Sequence, residues 1–411
     1  MISVTRIVVD FQSDLRSSTR WDFGFALLWI TGPLLYLIER TPADAWLSLM
    51  VIGFIARSTR DNEWRWLREG WVKSVAAFWV IALIAAALSN NVGYSVGEAI
   101  VWIRFPLYAA ACMYWIGSSP ARLNMMLAVM AAATGIMITV LAVEIWATGA
   151  TATRLSGPYG DLIPGSFLGK AMMPLAIILC AAALRFPLFV SLIPATGAGA
   201  IFIFTLLTGE RVNTALCGLA LLLAALISKK EWRRSLLYGV TACLTLAIVV
   251  TMHPGAKNRY LAEKTEVTNY FESEYWFSVR PGIVAALDNP TFGIGVGMHR
   301  LECENIDPGP DWLPGRNGCH PHAHQFYIQL AEETGIIGLI AGIVMIASII
   351  KAAAAGRRRD NMLAKLAWIP PALMFFPQPS ADFFGQWNNL FLWFAIGLAL
   401  AMSKAYATNK K

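Results

Sequence analysis

Long apolar stretches follow one another along almost the whole chain, and they constrain its fold more than any other feature. About 20 consecutive apolar residues form a helix that crosses a bilayer, whereas a membrane β-strand shows alternating polarity over about ten residues. With 57% hydrophobic and 14% charged residues, the chain is too apolar for a soluble protein. The sequence therefore predicts an all-α polytopic integral membrane protein.

We predict about twelve transmembrane helices from these stretches, of which the second is the shortest. They cover residues 21–38, 43–56, 71–88, 97–116, 124–148, 165–184, 186–207, 212–228, 235–252, 325–350, 363–379 and 386–402. About nine of them fall in residues 1–252 and about three in residues 325–411, with one large structured loop at 253–324 between. No cleaved signal peptide is expected, because no small-residue cleavage site precedes the first apolar run.

The basic residues indicate the orientation of these helices. When the predicted spans alternate across the membrane, most of the 33 Lys and Arg residues fall on one side, with clusters at 57–68, 229–234 and 357–359. The positive-inside rule makes that side cytoplasmic, so both termini are predicted in the cytoplasm and the 253–324 loop outside. The net charge of +7 thus reports topology, and no nucleic-acid partner is expected.

The external loop has a composition that predicts structure. All five histidines of the chain lie in this loop. Three of them, His320, His322 and His324, form a cluster at its end. Its aromatic content is too high for a disordered segment. Pro281 predicts a short helix that begins there and runs to about residue 288. The glycine-rich run at 291–297 only superficially resembles a phosphate loop, and we interpret it as a flexible turn.

Two of the six cysteines, Cys303 and Cys319, lie in the external loop. An oxidising compartment permits a disulfide there, and the prolines and glycines between the two residues allow the chain to fold back. We therefore expect a bridge, with two free thiols as the alternative. The other four cysteines lie within predicted spans, where they act as small packing residues.

Four cations are predicted near the outer ends of helices: Arg104, Lys170, Arg211 and Arg280. Charged groups inside membrane spans are costly, and they mark functional sites. Together these four would suit a diphosphate headgroup. The alternative for Arg104 and Lys170 is that they extend their charges to the membrane surface, or pair internally with Glu98.

His324 directly precedes a long apolar helix. The dipole at a helix N-terminus keeps an imidazole neutral and able to accept a proton, which suits a general base for a sugar hydroxyl. The alternative is a metal site, because His320, His322 and His324 alternate along the chain. Metal-binding pairs on a helix, however, are spaced by three or four residues.

These residues resemble the O-antigen ligase and polymerase superfamily of bacterial envelope glycan enzymes. The motif is a His, then Asn, Ser or Gln, nine residues, Gly, two residues and Gly, and it matches His324, Gln325, Gly335 and Gly338. The resemblance extends over about residues 150–345. Further matching positions are His322, Arg211, Arg280 with the Asp-Asn-Pro that follows it, and the loop from Arg154 to Gly160. Glu210 stands where Ser is usual, and residues 163–170 replace the usual Pro-Asn segment.

The resemblance implies a metal-independent, inverting glycosyltransferase without a cofactor, in the bacterial inner membrane with its loop in the periplasm. Its partners would be a glycan on undecaprenyl diphosphate as donor and a glycolipid or glycan as acceptor. His324 would be the base, and Arg211 and Arg280 would hold the diphosphate and stabilise its growing charge. The substrate-binding residues would be His322, Lys170, Arg104, Arg154 and Glu210.

Other classes of protein remain open at this point. The acceptor is lipid A–core for an O-antigen ligase and another lipid-linked repeat for a polymerase, and the sequence does not separate the two. A secondary transporter with twelve spans is a rival, but transporters place their key charges near the membrane midplane and show internal repeats. A non-catalytic scaffold would explain the apolar helices but not the Arg and His residues.

Overall fold

The computed structural model describes residues 4–16, 20–159, 163–228, 232–262, 270–306, 309–310, 312–315, 318–358, 360–379 and 382–405. These ranges contain helices and loops and no β-strand. The all-α prediction is therefore confirmed for this part of the chain. Several basic residues used for the topology, Lys229, Lys230, Lys264, Arg316 and Arg359 among them, lie outside the described residues.

The longer helices follow the apolar runs of the sequence. They are Val4–Arg16, Arg20–Leu35, Arg40–Arg60, Gly70–Ala87, Val92–Trp102, Arg104–Trp115, Pro120–Thr148, Met173–Arg185, Leu188–Leu207, Arg211–Ile227, Trp232–Met252, Glu274–Asp288, Phe326–Ala354 and Gln386–Ala405. Shorter helical segments connect them: Ile163–Ser166, Phe167–Ala171, Pro254–Lys257, Asn258–Ala262, His299–Glu302, Met362–Leu366 and Ile369–Met374.

Five described helices are long and apolar enough to cross a membrane, or up to seven if two bent pairs each form one span. The bends are 52° after Ala171 and 95° at His253. Each of the predicted spans falls on a helix or on two consecutive helices, but several are too short or too polar to qualify alone. The membrane character is thus supported, whereas the count of twelve stays a prediction.

Several predicted boundaries are wrong. The span 97–116 lies within Val92–Ser118, which is long and apolar enough to cross a membrane as one segment but extends further towards the N-terminus than predicted. The span 363–379 is two short helices, the second of which begins at Ile369-Pro370-Pro371. Proline has no backbone N–H and favours a helix start, so it divides that apolar run. The structure also adds the amphipathic helix Val4–Arg16, whose Asp14 pairs with Arg122 at 2.7 Å.

The last helix, Gln386–Ala405, lies at the centre of the packing and is buried along almost its entire length. It packs closely against Arg104–Trp115, where Gly397 lies beside the Cys112 side chain. Aromatic rings fill the space around it, with Trp29 and Trp115 stacked at 5.3 Å. Such dense contact in the helical layer holds the outer loops in fixed positions.

The helix Phe326–Ala354 is broken at Gly335, which has φ 66° and ψ −173°. Residues 290–297 dock into this break. The Ile336 N–H donates to the Pro290 carbonyl (2.8 Å), and the Ile294 N–H donates to the Glu332 carbonyl (2.8 Å). The expectation of a flexible turn at 291–297 is therefore wrong. The glycines there allow a buried segment to satisfy the backbone groups that the broken helix leaves open.

The loop helix is longer than predicted. It begins at Glu274, where Ser273 caps it by accepting from the Trp276 N–H (3.2 Å), and Pro281 lies inside it. Proline leaves the carbonyl of Phe277, one turn earlier, without its helical donor. The Gly318 N–H donates to that carbonyl (2.9 Å), so Pro281 creates the point where the end of the loop attaches.

Candidate functional site

His324 lies two residues before the first residue of the helix Phe326–Ala354. Gln325 is the N-cap residue, and its side chain accepts a hydrogen bond from the Ile328 N–H at 2.8 Å. His324 itself has a positive φ of 49°, a conformation that few residues other than glycine adopt. Such strain persists only where the surroundings hold it, and it is frequent at active sites. The predicted place of His324 at the helix N-terminus is confirmed.

The three alternating histidines form one cluster with a tyrosine. The His324 ring centroid lies 4.2 Å from that of His322, 5.6 Å from that of His320 and 6.3 Å from that of Tyr275. His320 is the outer member, because its Nε2 lies 3.8 Å from a carboxylate oxygen of the exposed Glu274. Among the described residues, no group of three His, Cys, Asp or Glu side chains is placed to hold a metal ion.

His322 is in a different environment from His320. Its burial and the neighbouring His324 ring lower the pKa of His322 well below its ordinary value, although the Asp382 carboxylate acts in the opposite direction. His322 is therefore neutral at pH 7. Its Nε2 atom is buried and has no hydrogen-bond partner in the described part of the chain.

A buried network of charged and amide groups lies behind the histidine cluster. His299 Nδ1 lies 2.7 Å from Glu332 Oε1, and both side chains are fully buried. The Gln329 amide donates to Asp382 (2.6 Å), and Asp382 also accepts from Arg300 (2.7 Å). Burying so many charged groups is costly unless they are paired, which is the case for most of this network.

The sequence reasoning missed this network, although part of it left a signal. Glu332 and Glu333 lie inside an apolar helix, and the rule that drew attention to Arg104 and Lys170 applies to them equally. Glu333 accepts the Gly297 N–H (2.7 Å), which fixes the docked segment to the helix. His299 and Asp382 gave no comparable signal, since both lie in polar connections.

Arg280 lies on the loop helix beside the histidine cluster, five residues after Tyr275. Its residue is 4% exposed, and its guanidinium donates to the Leu313 and Pro314 carbonyls, both at 3.1 Å. The Trp276 indole N–H also donates to Pro314 (2.8 Å). In this structure Arg280 therefore fixes the fold of the loop over its helix.

A second polar cluster surrounds the N-terminus of the helix Arg211–Ile227. Arg211 donates to the Arg259 carbonyl at 2.7 Å. Glu210, expected to orient an arginine or to share in acceptor binding, pairs with Arg154 (3.0 Å). The Lys170 ammonium donates to Asn388 at 2.7 Å, and the segment that carries Lys170 packs against Glu210, since a Cβ at Gly165 would overlap the Glu210 side chain. Residues from five separate stretches of the chain therefore meet here.

Arg104 stands apart from both clusters. Its guanidinium lies 2.8 Å from a carboxylate oxygen of Asp44 and 3.4 Å from the Ser48 hydroxyl. The internal pair that the sequence left open is thus real, but its partner is Asp44 and not Glu98. Of the four predicted cations, the structure groups Lys170 with Arg211, and it places Arg280 on the helix that carries Tyr275 of the histidine cluster.

The segment 382–389 lies between the two polar clusters. Asp382 belongs to the network behind the histidines, and Asn388 binds Lys170 in the second cluster. Asn389 closes the turn between them by donating to the Phe383 carbonyl (2.6 Å). The histidine cluster and the cationic cluster are therefore held at either end of one short, internally bonded turn.

The structure joins Cys303 and Cys319 by a disulfide, with their Cα atoms 5.1 Å apart. We predict this bridge in the membrane-embedded protein. Chain-entropy arguments value a loop of this length at ~3 kcal/mol, and the bridge holds the segment that leads to His324. Mass spectrometry of non-reduced loop peptides should detect the linked pair, while Cys243, exposed and unpaired in the structure, reacts with alkylating reagents. Two alkylated thiols at Cys303 and Cys319 would contradict the prediction.

The fold and these clusters define a membrane protein with polar side chains gathered at the ends of its helices. Residues 196–343 match a protein-family model described as O-antigen ligase. This match confirms the resemblance to the O-antigen ligase and polymerase superfamily. It includes Arg211, Arg280 and the whole histidine cluster, and it ends before Asp382. A search of the curated proteins finds no match to the chain.

Proposed function

We propose that this protein transfers a glycan from undecaprenyl diphosphate to a sugar hydroxyl, as an O-antigen ligase that acts on lipid A–core. The reaction takes place at the periplasmic side of the bacterial inner membrane, with both termini in the cytoplasm. The observation that carries the proposal is His324, which lies within the matched segment, in a strained conformation, at the N-terminus of a long apolar helix.

In the proposed mechanism His324 removes the proton of the acceptor hydroxyl. The oxygen then attacks the anomeric carbon, the bond to the diphosphate breaks, and the configuration inverts. A neutral imidazole is required for this step, and the helix N-terminus beside His324 favours the neutral form. No metal or cofactor takes part in the steps assigned to these residues.

The leaving diphosphate needs positive charge. Arg211 supplies it in the second cluster together with Lys170, and Arg154 neutralises the Glu210 carboxylate there. Positioned cations of this kind are usually the largest catalytic contribution. Arg280 contributes a positive charge from the loop helix and also holds the loop that shapes the site.

The alternative is a polymerase that joins lipid-linked repeats, because both reactions use the same donor and the same base. The glycan ladder of a deletion strain separates them. Loss of a ligase leaves polymerised glycan that is not attached to lipid A–core, whereas loss of a polymerase leaves a single repeat on the core. A deletion strain with an unchanged ladder would exclude both.

We predict that Arg211→Lys and Arg280→Lys each weaken binding of undecaprenyl diphosphate by about tenfold, since a point charge replaces a two-pronged donor. For Arg280 the structure gives the reason for this loss. The guanidinium bonds to the Leu313 and Pro314 carbonyls through two nitrogens, and a lysine has only one nitrogen to offer. The measurement is the dissociation constant of the purified variants. Unchanged affinity in both would remove the headgroup site from the proposal.

Arg122→Lys is a matched control for these variants. Like Arg280, Arg122 is mostly buried, but it pairs with Asp14 and belongs to neither polar cluster. Its replacement should leave binding of the donor lipid unchanged. A similar loss in all three variants would indicate general damage to the membrane domain.

A further inference from the structure

His299 is the one fully buried histidine in the described part of the chain, and the proposed mechanism does not use it. Its Nδ1 atom lies 2.7 Å from Glu332 Oε1, and the side-chain exposure of both residues is 0%. A carboxylate in this position accepts the Nδ1 proton and fixes the tautomer of the ring. The Nε2 atom is then a proton acceptor.

Three polar atoms in this region lack a hydrogen-bond partner among the described residues. They are His299 Nε2, Glu332 Oε2 and His322 Nε2, and all three are buried. Buried polar atoms are nearly always satisfied, so unsatisfied ones need an explanation, and a catalytic role is one of the recognised causes. His322 belongs to the histidine cluster, and His299 and Glu332 belong to the buried network behind it.

The position of Gly282 shows how close this pair is to His324. A Cβ added to Gly282 would lie 2.9 Å from Glu332 Oε2 and also 2.9 Å from the Cβ of Ala323. Ala323 is the residue between His322 and His324. Glu332 Oε2 and the Cβ of Ala323 therefore both border the space that the missing side chain of Gly282 leaves open.

We propose that His299 is a second proton acceptor, which takes over the proton that His324 removes from the acceptor sugar; this rests on the proposed function. His324 passes a proton to His322, whose ring lies 4.2 Å away. His322 gives a proton to His299 Nε2, and the resulting imidazolium is held by the Glu332 carboxylate. His324 returns to its neutral form. When the products leave, the proton passes back from His299 through His322 and His324 to water, so that all three histidines are neutral before the next transfer.

The charges around His322 explain why the proton moves on. His322 faces His324, Asp382, His299 and Arg300, and burial and the cations among them outweigh the one carboxylate, so that its pKa is lowered. Asp382 is also shared with Arg300 (2.7 Å). His299, in contrast, has a carboxylate in direct contact. The Glu332 carboxylate therefore gives the charge of an imidazolium at His299 a direct partner.

The test uses the purified full-length protein and measures the rate of glycan transfer to the acceptor. His299→Asn keeps an amide N–H near the Nδ1 position for Glu332 and removes the group at Nε2. We expect the rate to fall by about tenfold or more, because the proton that His324 removes then has no second acceptor. Added imidazole should restore a large part of it, because a small base can take the proton that His299 no longer accepts.

Glu332→Gln is the second variant, since its amide keeps the size of the side chain and removes the charge. It should also lose rate and regain it with imidazole. His320→Asn is the control, because His320 lies at the outer edge of the cluster and should show neither effect. Rates within twofold of the wild type in both buried variants, or a loss that imidazole does not restore, would overturn the proposal.

The same experiment separates this inference from the proposed function. If the wild-type protein transfers no glycan, the proposed function itself fails. If the wild type is active and His324→Ala is inactive, but His299→Asn keeps the wild-type rate, then the base assignment stands and only the role of His299 is wrong.

Discussion

Replacing His324 with Ala should abolish glycan transfer and leave the amount of protein in the membrane unchanged. The lesion is chemical, because the imidazole is the proposed base and loss of such a group costs about 10²- to 10⁴-fold in rate. His324→Asn is the sharper variant. Asn adopts the left-handed conformation found at this position (φ 49°) more readily than most residues, and it has no ring nitrogen to accept the proton.

The measurement is surface glycan in cells, together with transfer by the purified protein. His320→Ala is the matched control, since that ring belongs to the same cluster but lies 5.6 Å from His324 and near the exposed Glu274. Its effect should be mild. If His324→Asn supports near-normal surface glycan, the base must be another residue, and His322 would be the first to examine.

Much of the membrane scaffold could be predicted because an apolar run long enough for a span is a local property of the sequence. The helix boundaries failed where distant contacts or prolines decide them. Pro281 was expected to start a helix, but Ser273 caps that helix earlier and the Gly318 N–H satisfies the carbonyl that Pro281 leaves open. Only the folded loop brings Gly318 to that position.

The candidate site was predictable to the same extent. The histidine motif marks His324 because its proposed role depends on a local feature, the start of a helix. The partners of Arg104 and Arg280 could not be read from sequence, since Asp44 and the Leu313 carbonyl come from distant segments. His299 needs its partner Glu332 to be noticed at all, and that pair exists only because residues 290–297 dock into a broken helix.

Because the helix is broken at Gly335, we expect one added methyl group to lower the stability of the protein more at this residue than elsewhere. Its φ of 66° with ψ of −173° is a conformation essentially restricted to glycine, and other residues pay about 1–3 kcal/mol for such strain. A Cβ at Gly335 would also overlap the Thr291 carbonyl and the Phe292 nitrogen. We therefore expect Gly335→Ala to displace the docked segment and to lower both stability and activity severely.

Gly342→Ala, about two turns further along the same helix, provides the comparison. Its added Cβ would meet the end of the Leu330 side chain at 3.0 Å, which can shift, and no backbone. Thermal unfolding of the two purified variants should show a large loss for Gly335→Ala and a small change for Gly342→Ala. If the two variants are equally stable, the helix must become continuous at position 335 in Gly335→Ala. The carbonyl groups of Glu332 and Glu333 would then bond within the helix and would not need residues 290–297 as partners. The His299–Glu332 pair would in that case not depend on the docked segment.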